Sequence, residues 1–250
     1  MIPISDVNAT RRVPVMNLTL IAINALVFIY ELGLSNRGLN QFMFNWGLIP
    51  QQLLFALVHP FALSSFHAFA TLITSQFIHA GWAHIGGNML FLFIFGDNIE
   101  DVMGSLTYLL FYLVCGVAAG IAQTFVLAPF LGGADVPSIG ASGAIAGVLG
   151  AYLILYPGAR VRVWVPVLLL LTFELPAAIM IGVWFLEQFV SGLGSLSAQA
   201  ANSGGVAFWA HVGGFITGMV LILPFWGKAR ELKAGTPSPY YRAYDDINRW

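Results

Sequence analysis

The chain has 250 residues, of which 58% are hydrophobic and 8% charged, and its mean hydropathy is +0.82; this excludes a soluble globular domain of ordinary composition and indicates a polytopic membrane protein. A net charge of −1 gives no general attraction to nucleic acid. The one cysteine, Cys115, excludes an intrachain disulfide and has no neighbours for a metal site.

Residues 1–16 read as a short polar arm containing Arg11 and Arg12. The first predicted span is 17–34, a retained anchor without a small-residue cleavage site, long enough to cross most of a ~30 Å hydrocarbon core. Residues 35–81 form a long connection whose apolar positions, among them Phe42, Phe44, Trp46, Leu53 and Leu57, are spaced as in amphipathic helices lying at the membrane interface. Spans two and three are predicted at 82–98 and 105–128, separated from span four, 142–156, by a Gly/Pro-containing loop. Residues 161–173 alternate like an extended segment and then turn apolar. Pro166 and Pro176 disfavour a continuous helix through this stretch, so it is read as an interfacial or half-inserted segment before span five at 174–192. Residues 193–204 are a Ser/Gly/Ala-rich loop, span six is 205–226, and 227–250 is a charged, poorly ordered tail. The fold class is therefore all-α: a membrane helical bundle of six spans over residues 17–226, flanked by the arm and the tail.

Nine of the ten cations fall on one side of such a bundle. The positive-inside rule then predicts both termini in the cytoplasm, with the 35–81 connection and the 193–204 loop outside. A bacterial cytoplasmic membrane is the expected location.

Span four carries Gly140-Ala141-Ser142-Gly143 at its head. Alone, that sequence also suits a helix N-cap in a small-residue packing stripe. The span's fifteen residues make only about 22 Å of helix. With its inner end at the interface, Ser142 begins below the outer surface, and the loop before it must descend to a place where protein or water covers its backbone. A nucleophilic serine needs a base. Among the five histidines, only His211 lies deep in a predicted span, and an intramembrane ionisable group suggests function. His211, Gly214 and Gly218 share one helix face, as do Ser142, Ala146 and Gly150. Gly143/Gly147 and Gly214/Gly218 allow close helix packing. Spans four and six can thus bring Ser142 and His211 together, and neither span contains Asp or Glu, so the arrangement is a dyad. In span two His84 and Asn88 are i, i+4 neighbours. Asn88 supplies an amide donor at membrane depth, suited to an oxyanion or to interhelical hydrogen bonding.

Gly140-Ala141-Ser142-Gly143, Ala210-His211-Val212-Gly213-Gly214, the His84/Asn88 pair and Gly96-xxx-Glu100-xxx-Gly104, in this order across six spans, resemble the rhomboid family of intramembrane serine proteases. The resemblance covers roughly 15–226. It implies Ser142 as nucleophile, His211 as general base, and Asn88 with His84 lining the oxyanion hole. It implies cleavage of single-span or polytopic membrane proteins in or near a transmembrane helix, within the lipid bilayer, by an access route between spans two and five gated by 193–204. It implies neither metal nor organic cofactor. Two departures stand out. Some members carry an aromatic residue four positions after the serine, where this chain has Ala146, so what orients the His211 ring stays open. Some carry a Trp-Arg pair in the first long loop, which is absent here. Glu100 reads as structural, accepting hydrogen bonds from nearby donors, and Glu187 and Gln188 as hydrogen-bonding the 193–204 loop or facing the interface. Two other classes compete: a non-catalytic rhomboid-like protein that binds membrane clients, against which the intact Ser142 and His211 argue, and a transporter, for which no inverted repeat is visible.

Overall fold

The computed structural model describes residues 2–8, 10–127, 135–165, 172–195 and 206–234. A short strand β1 (Ile2–Asp6) precedes helix α1 (Val15–Leu32). Helices α2 (Asn36–Trp46), α3 (Pro50–Val58) and α4 (Leu63–Thr74) follow, and then α5 (Trp82–Met103), α6 (Ser105–Leu127) and α7 (Ser142–Leu155). Strands β2 (Arg160–Trp164) and β3 (Thr172–Pro176) lead into α8 (Ala177–Ser195), α9 (Phe208–Leu221) and α10 (Trp226–Ala234).

The molecule is a membrane helical bundle. Four stretches, Val15–Leu32, Ser105–Val126, Ala177–Ser195 and Phe208–Leu232, are long and apolar enough to cross a membrane. Leu63–Phe77 and Trp82–Met103 make a fifth if taken as one path, bent by 82°. Helix α7 is apolar but has only 14 residues, about 21 Å at the usual rise per residue.

Helix α7 occupies the centre, and every residue from 143 to 152 is buried. It can be this central because it is nearly all small and apolar on every face. Against α9 the contact is backbone on backbone. A Cβ added to Gly214 would land on the Gly143 carbonyl oxygen, and one on Gly218 would land on that of Gly147. On the α6 side, Ala119 and Cys115 pack over Gly143 and Gly147. Glycine in a helix interior costs roughly 0.5–1 kcal/mol relative to alanine, a cost offset by the close approach.

Buried carboxylates fasten α1 at both ends. Its first turn has no side-chain cap of its own, and Glu100 of α5 replaces one. Glu100 Oε1 accepts from Met16 N–H at 3.0 Å, Oε2 from Asn17 N–H at 2.7 Å, and Oε1 from the Ser105 hydroxyl at 2.5 Å. A negative charge there also suits the helix dipole. Gly96, one turn earlier, leaves room for Asn17 and Tyr108, which hydrogen-bond each other at 2.8 Å. Gly104, at φ 83°, turns the chain from α5 into α6. At the other end of α1, Glu31 is 3% exposed and accepts the His79 N–H at 3.2 Å. This ties down the segment that enters α5.

The start of the polar arm and the start of span five differ from the sequence expectation, while the extended reading at the head of the 161–173 segment agrees with strand β2. Residues 2–6 are not a free arm. They pair antiparallel with β2, which pairs with β3, in the order β1-β2-β3. The alternation in Val161-Arg162-Val163 is that of a half-buried strand: both valines are 0% exposed, and Arg160 and Arg162 face outward to Glu174 at 3.7 and 3.4 Å. Because β3 takes 172–176, α8 begins at Ala177 and not at 174. The sixth span runs on as one apolar stretch, Phe208–Leu232: α9 ends at Leu221, Leu223–Phe225 forms a 3-10 turn at Pro224, and α10 takes the start of the tail. The 35–81 connection contains the short helices α2–α4. The expectations for loop 129–134, for 166–171, for 196–204 and for the tail beyond 234 lie outside the described residues.

Candidate active site

Ser142 is the first residue of α7. The segment leading to it is held by backbone pairing. Leu48 and Ser138 exchange hydrogen bonds at 3.0 and 2.8 Å, and Gly140 N–H donates to Ser75 O at 2.9 Å. Gly140 has φ 120°, a conformation that favours glycine. A Cβ there would also stand 2.7 Å from His84 Nε2 and 3.8 Å from Asn88 Nδ2. The turn before the serine is therefore a glycine for two independent reasons, and the second identifies what faces it.

His211 of α9 meets Ser142 across the glycine contact. Its Nε2 lies 2.7 Å from Ser142 Oγ, and the residue is 7% exposed. Its other ring nitrogen, Nδ1, lies 2.7 Å from Gln188 Oε1 on α8. A carbonyl oxygen only accepts, so Nδ1 carries the proton, and Nε2 presents a lone pair to the serine hydroxyl. The Trp184 ring lies 5.7 Å from the imidazole, centre to centre, at 37°, and itself packs against Phe91 and Phe215. Gln188, read from sequence as a loop or interface residue, instead faces the bundle at 8% exposure, whereas its neighbour Glu187 is exposed. The signal that could have found it is its spacing: an amide four residues after Trp184, on the face that also carries Met180 and Ile181.

His84 and Asn88 reach the same place from α5. His84 Nδ1 accepts the Ala80 N–H at 3.4 Å, which leaves Nε2–H to point at the Gly140 turn. The Asn88 amide nitrogen is buried and has no hydrogen-bond partner. The structure thus brings together Ser142, His211, Asn88 and His84, and adds Gln188. Beside Ser142 is a small recess with polar walls from Ser75, Gln76, Gln123 and Ser138. Gln76 Oε1 there is buried and unpaired, while Gln123 Oε1 accepts the Ala210 N–H at 3.1 Å. Such a recess is suited to water. Among the described residues, no group of three or more His, Cys, Asp or Glu side chains is placed to hold a metal ion.

A helical membrane bundle with a serine at the head of a buried central helix, hydrogen-bonded to an intramembrane histidine, defines the class. The chain belongs to the rhomboid family: the family model described as Rhomboid domain matches residues 67–228. It is 31% identical over 163 residues to Rhomboid-like protein 11, chloroplastic, of Arabidopsis thaliana, covering 63% of this chain and 53% of that protein. It is 31% identical over 156 residues to Rhomboid protein 1, mitochondrial, of Saccharomyces cerevisiae, covering 60% and 40%. Over 82 residues it is 44% identical to Rhomboid protease GluP of Bacillus subtilis, covering 33% of this chain and 15% of that protein. The matches span about half, or less, of the length of these relatives.

Proposed function

We propose that the chain is an intramembrane serine endopeptidase acting on membrane-protein substrates through Ser142 and His211. The observation that carries this reading is the 2.7 Å contact between Ser142 Oγ and His211 Nε2 beside a buried, unpaired amide donor, Asn88 Nδ2. The relative named Rhomboid protease GluP supports the same activity.

Ser142 Oγ attacks the scissile carbonyl carbon while His211 Nε2 takes the hydroxyl proton. The developing oxyanion is met by Asn88 Nδ2–H and by the Ser142 backbone N–H, which is free as the first of its helix, with His84 Nε2–H beside them. The intermediate collapses, the C–N bond breaks, and His211 returns the proton to the leaving amine. A water drawn from the polar recess then attacks the acyl-enzyme, with His211 again as base, and releases Ser142. A substrate helix must unwind locally to expose its carbonyl, so helix-breaking residues near the cleavage site favour reaction.

The topology proposed is six passes, α1, α5, α6, α7, α8 and α9, with both termini on the cation-rich side. Contacts at that end support it: the Arg11 backbone N–H donates to Asp101 at 3.2 Å, and the Arg11 guanidinium donates to the Leu232 carbonyl. In a bacterial cell that side would be the cytoplasm. The relatives, chloroplastic, mitochondrial and bacterial by name or source, do not choose among membranes.

The deciding experiment pairs fluorophosphonate labelling with cleavage of a transmembrane reporter by the purified chain. Labelling at Ser142 is expected, and Ser142→Ala and His211→Ala should each abolish cleavage, with the double variant no worse than either single. Cleavage retained in Ser142→Ala would overturn the assignment. An unlabelled protein that binds the reporter without cutting it would instead be a client-binding member.

A further inference from the structure

The inward face of α8 carries Ala177, Met180, Ile181, Gln188 and Gly192 as buried residues. Gln188 is the polar one, and helix α8 is otherwise apolar enough to cross a membrane unaided. Burying an amide in such a helix is unfavourable unless it is hydrogen-bonded. Here the carbonyl end is used on the base: Gln188 Oε1 lies 2.7 Å from His211 Nδ1.

That contact decides a chemical question. Neutral imidazole carries one proton, on either ring nitrogen. Only the form protonated at Nδ1 offers Nε2 as a base to Ser142. An acceptor fixed at Nδ1 favours that form. The ring also has to be held in plane with the serine, and the residue one turn after Ser142, Ala146, offers only a methyl group. Helix α8 supplies both constraints from residues one turn apart. Trp184 lies against the ring face, and Gln188 holds its far nitrogen. One turn further on, Gly192 lets Trp209 and Phe208 of α9 pack within 3.3–3.4 Å of where its Cβ would be, which sets the distance between the two helices near the site.

We propose that Gln188 is a positioning residue for the base: its side-chain carbonyl accepts the His211 Nδ1–H and holds the imidazole in the tautomer and orientation that present Nε2 to Ser142. The role rests on the Ser142–His211 reading above. It differs from interhelical hydrogen bonding in what its loss should change. Loss of a packing contact lowers stability and spares turnover per folded molecule. Loss of the Nδ1 acceptor lowers turnover.

The test uses the full chain in detergent or proteoliposomes with a transmembrane reporter substrate. Gln188→Met keeps the volume and removes the carbonyl. Gln188→Glu keeps an oxygen acceptor at the same reach. For Gln188→Met, kcat and the fluorophosphonate labelling rate should fall by roughly 10–100-fold, part of the 10²–10⁴ that a general base contributes. KM should stay within about twofold, because the effect lies in the transition state. Gln188→Glu should retain kcat to within about tenfold of the parent and well above Gln188→Met. In a His211→Ala background, Gln188→Met should leave residual labelling unchanged. Wild-type kcat per folded molecule in Gln188→Met would overturn the proposal, as would a folded Gln188→Glu no faster than Gln188→Met. Ser142→Ala and His211→Ala run alongside separate the failures. If either still cleaves, the dyad reading fails. If both are inactive while Gln188→Met is not, only the role of Gln188 falls. Should Gln188→Met not fold, the rates of Gln188→Glu against Gln188→Leu decide in the same way.

Discussion

Leaving a buried donor unpaired costs about 1–3 kcal/mol, and Asn88 Nδ2 is such a donor, 8% exposed. A residue serving as interhelical glue would have its partner in place. Asn88 has an open position beside the Gly140 turn instead, as an oxyanion donor does before substrate arrives. Asn88→Ala should therefore lower kcat by about 10²–10³-fold, with KM little changed, and should not lower the melting temperature. Single-turnover rates and thermal melts on the same purified variant check this, and a destabilised variant with normal turnover would remove Asn88 from the site. Four side chains of the candidate site were legible in the sequence because each is polar where its neighbours are not: Ser142 between glycines, His211 in an apolar span, Asn88 and His84 one turn apart. Gln188 was not, since Glu187 and Gln188 sit side by side at the same depth and only the helix rotation separates them. That rotation is set by how α8 leans on α9, a tertiary fact. The same holds for Ala146: the family resemblance marked it as lacking an aromatic contact, but not that Trp184 would come from another helix.

The α7–α9 contact was readable as an element pair, because Gly143/Gly147 adjoins Ser142 and Gly214/Gly218 shares the His211 face, and the structure packs the two pairs backbone to backbone. Gly218→Ala puts a methyl on the Gly147 carbonyl oxygen, so the helices must part. Overpacking of this kind costs about 1–3 kcal/mol, and it should lengthen the Ser142–His211 contact as well. Gly182→Ala on α8 is the matching control: nothing lies within 4 Å of its added Cβ, and relief of a helix glycine should stabilise by about 0.5–1 kcal/mol. Thermal melts with fluorophosphonate labelling should show a loss of both stability and labelling for Gly218→Ala, and no loss of stability for Gly182→Ala. Equal behaviour of the two would show that the close contact is not needed. The sheet was the least legible element. Val161-Arg162-Val163-Trp164 alternates as a strand should, but its partner Ile2–Asp6 lies at the far end of the chain, and no local pattern announces so distant a pairing. Glu100 was easier, because a carboxylate buried at a helix end must find donors, and the uncapped start of α1 supplies them.

For the whole molecule, the cationic end is closed by β1, where Asp6 accepts the Tyr152 hydroxyl at 2.5 Å and Asn98 Nδ2 at 3.2 Å, with Asp97 beside them. Burial pushes the Asp6 carboxyl up to about 6 from its ordinary 3.8, against the lowering effect of the Tyr152 hydrogen bond. The folded state then holds a proton that the unfolded chain has released between those values, so Asp6's contribution to stability falls as pH rises from about 4 to 6. Melts across that range should show this slope in the parent and its loss in Asp6→Asn, while an identical slope in both would assign it elsewhere. The chain closes its cationic end with a strand and a carboxylate, and it surrounds α7, the helix headed by Ser142, with other helices, so that residues 143–152 are all buried. Only 28% of the apolar window is buried in α1 and in α8, so those helices take the pressure of a bilayer that is thinner or thicker than they are. Helix α7 has almost no surface on which lipid can act. Its solvent is protein, and its short length need not match any membrane. Bilayer thickness can therefore tilt the outer helices, while the placement of Ser142 against His211 is set by the close glycine contact between α7 and α9.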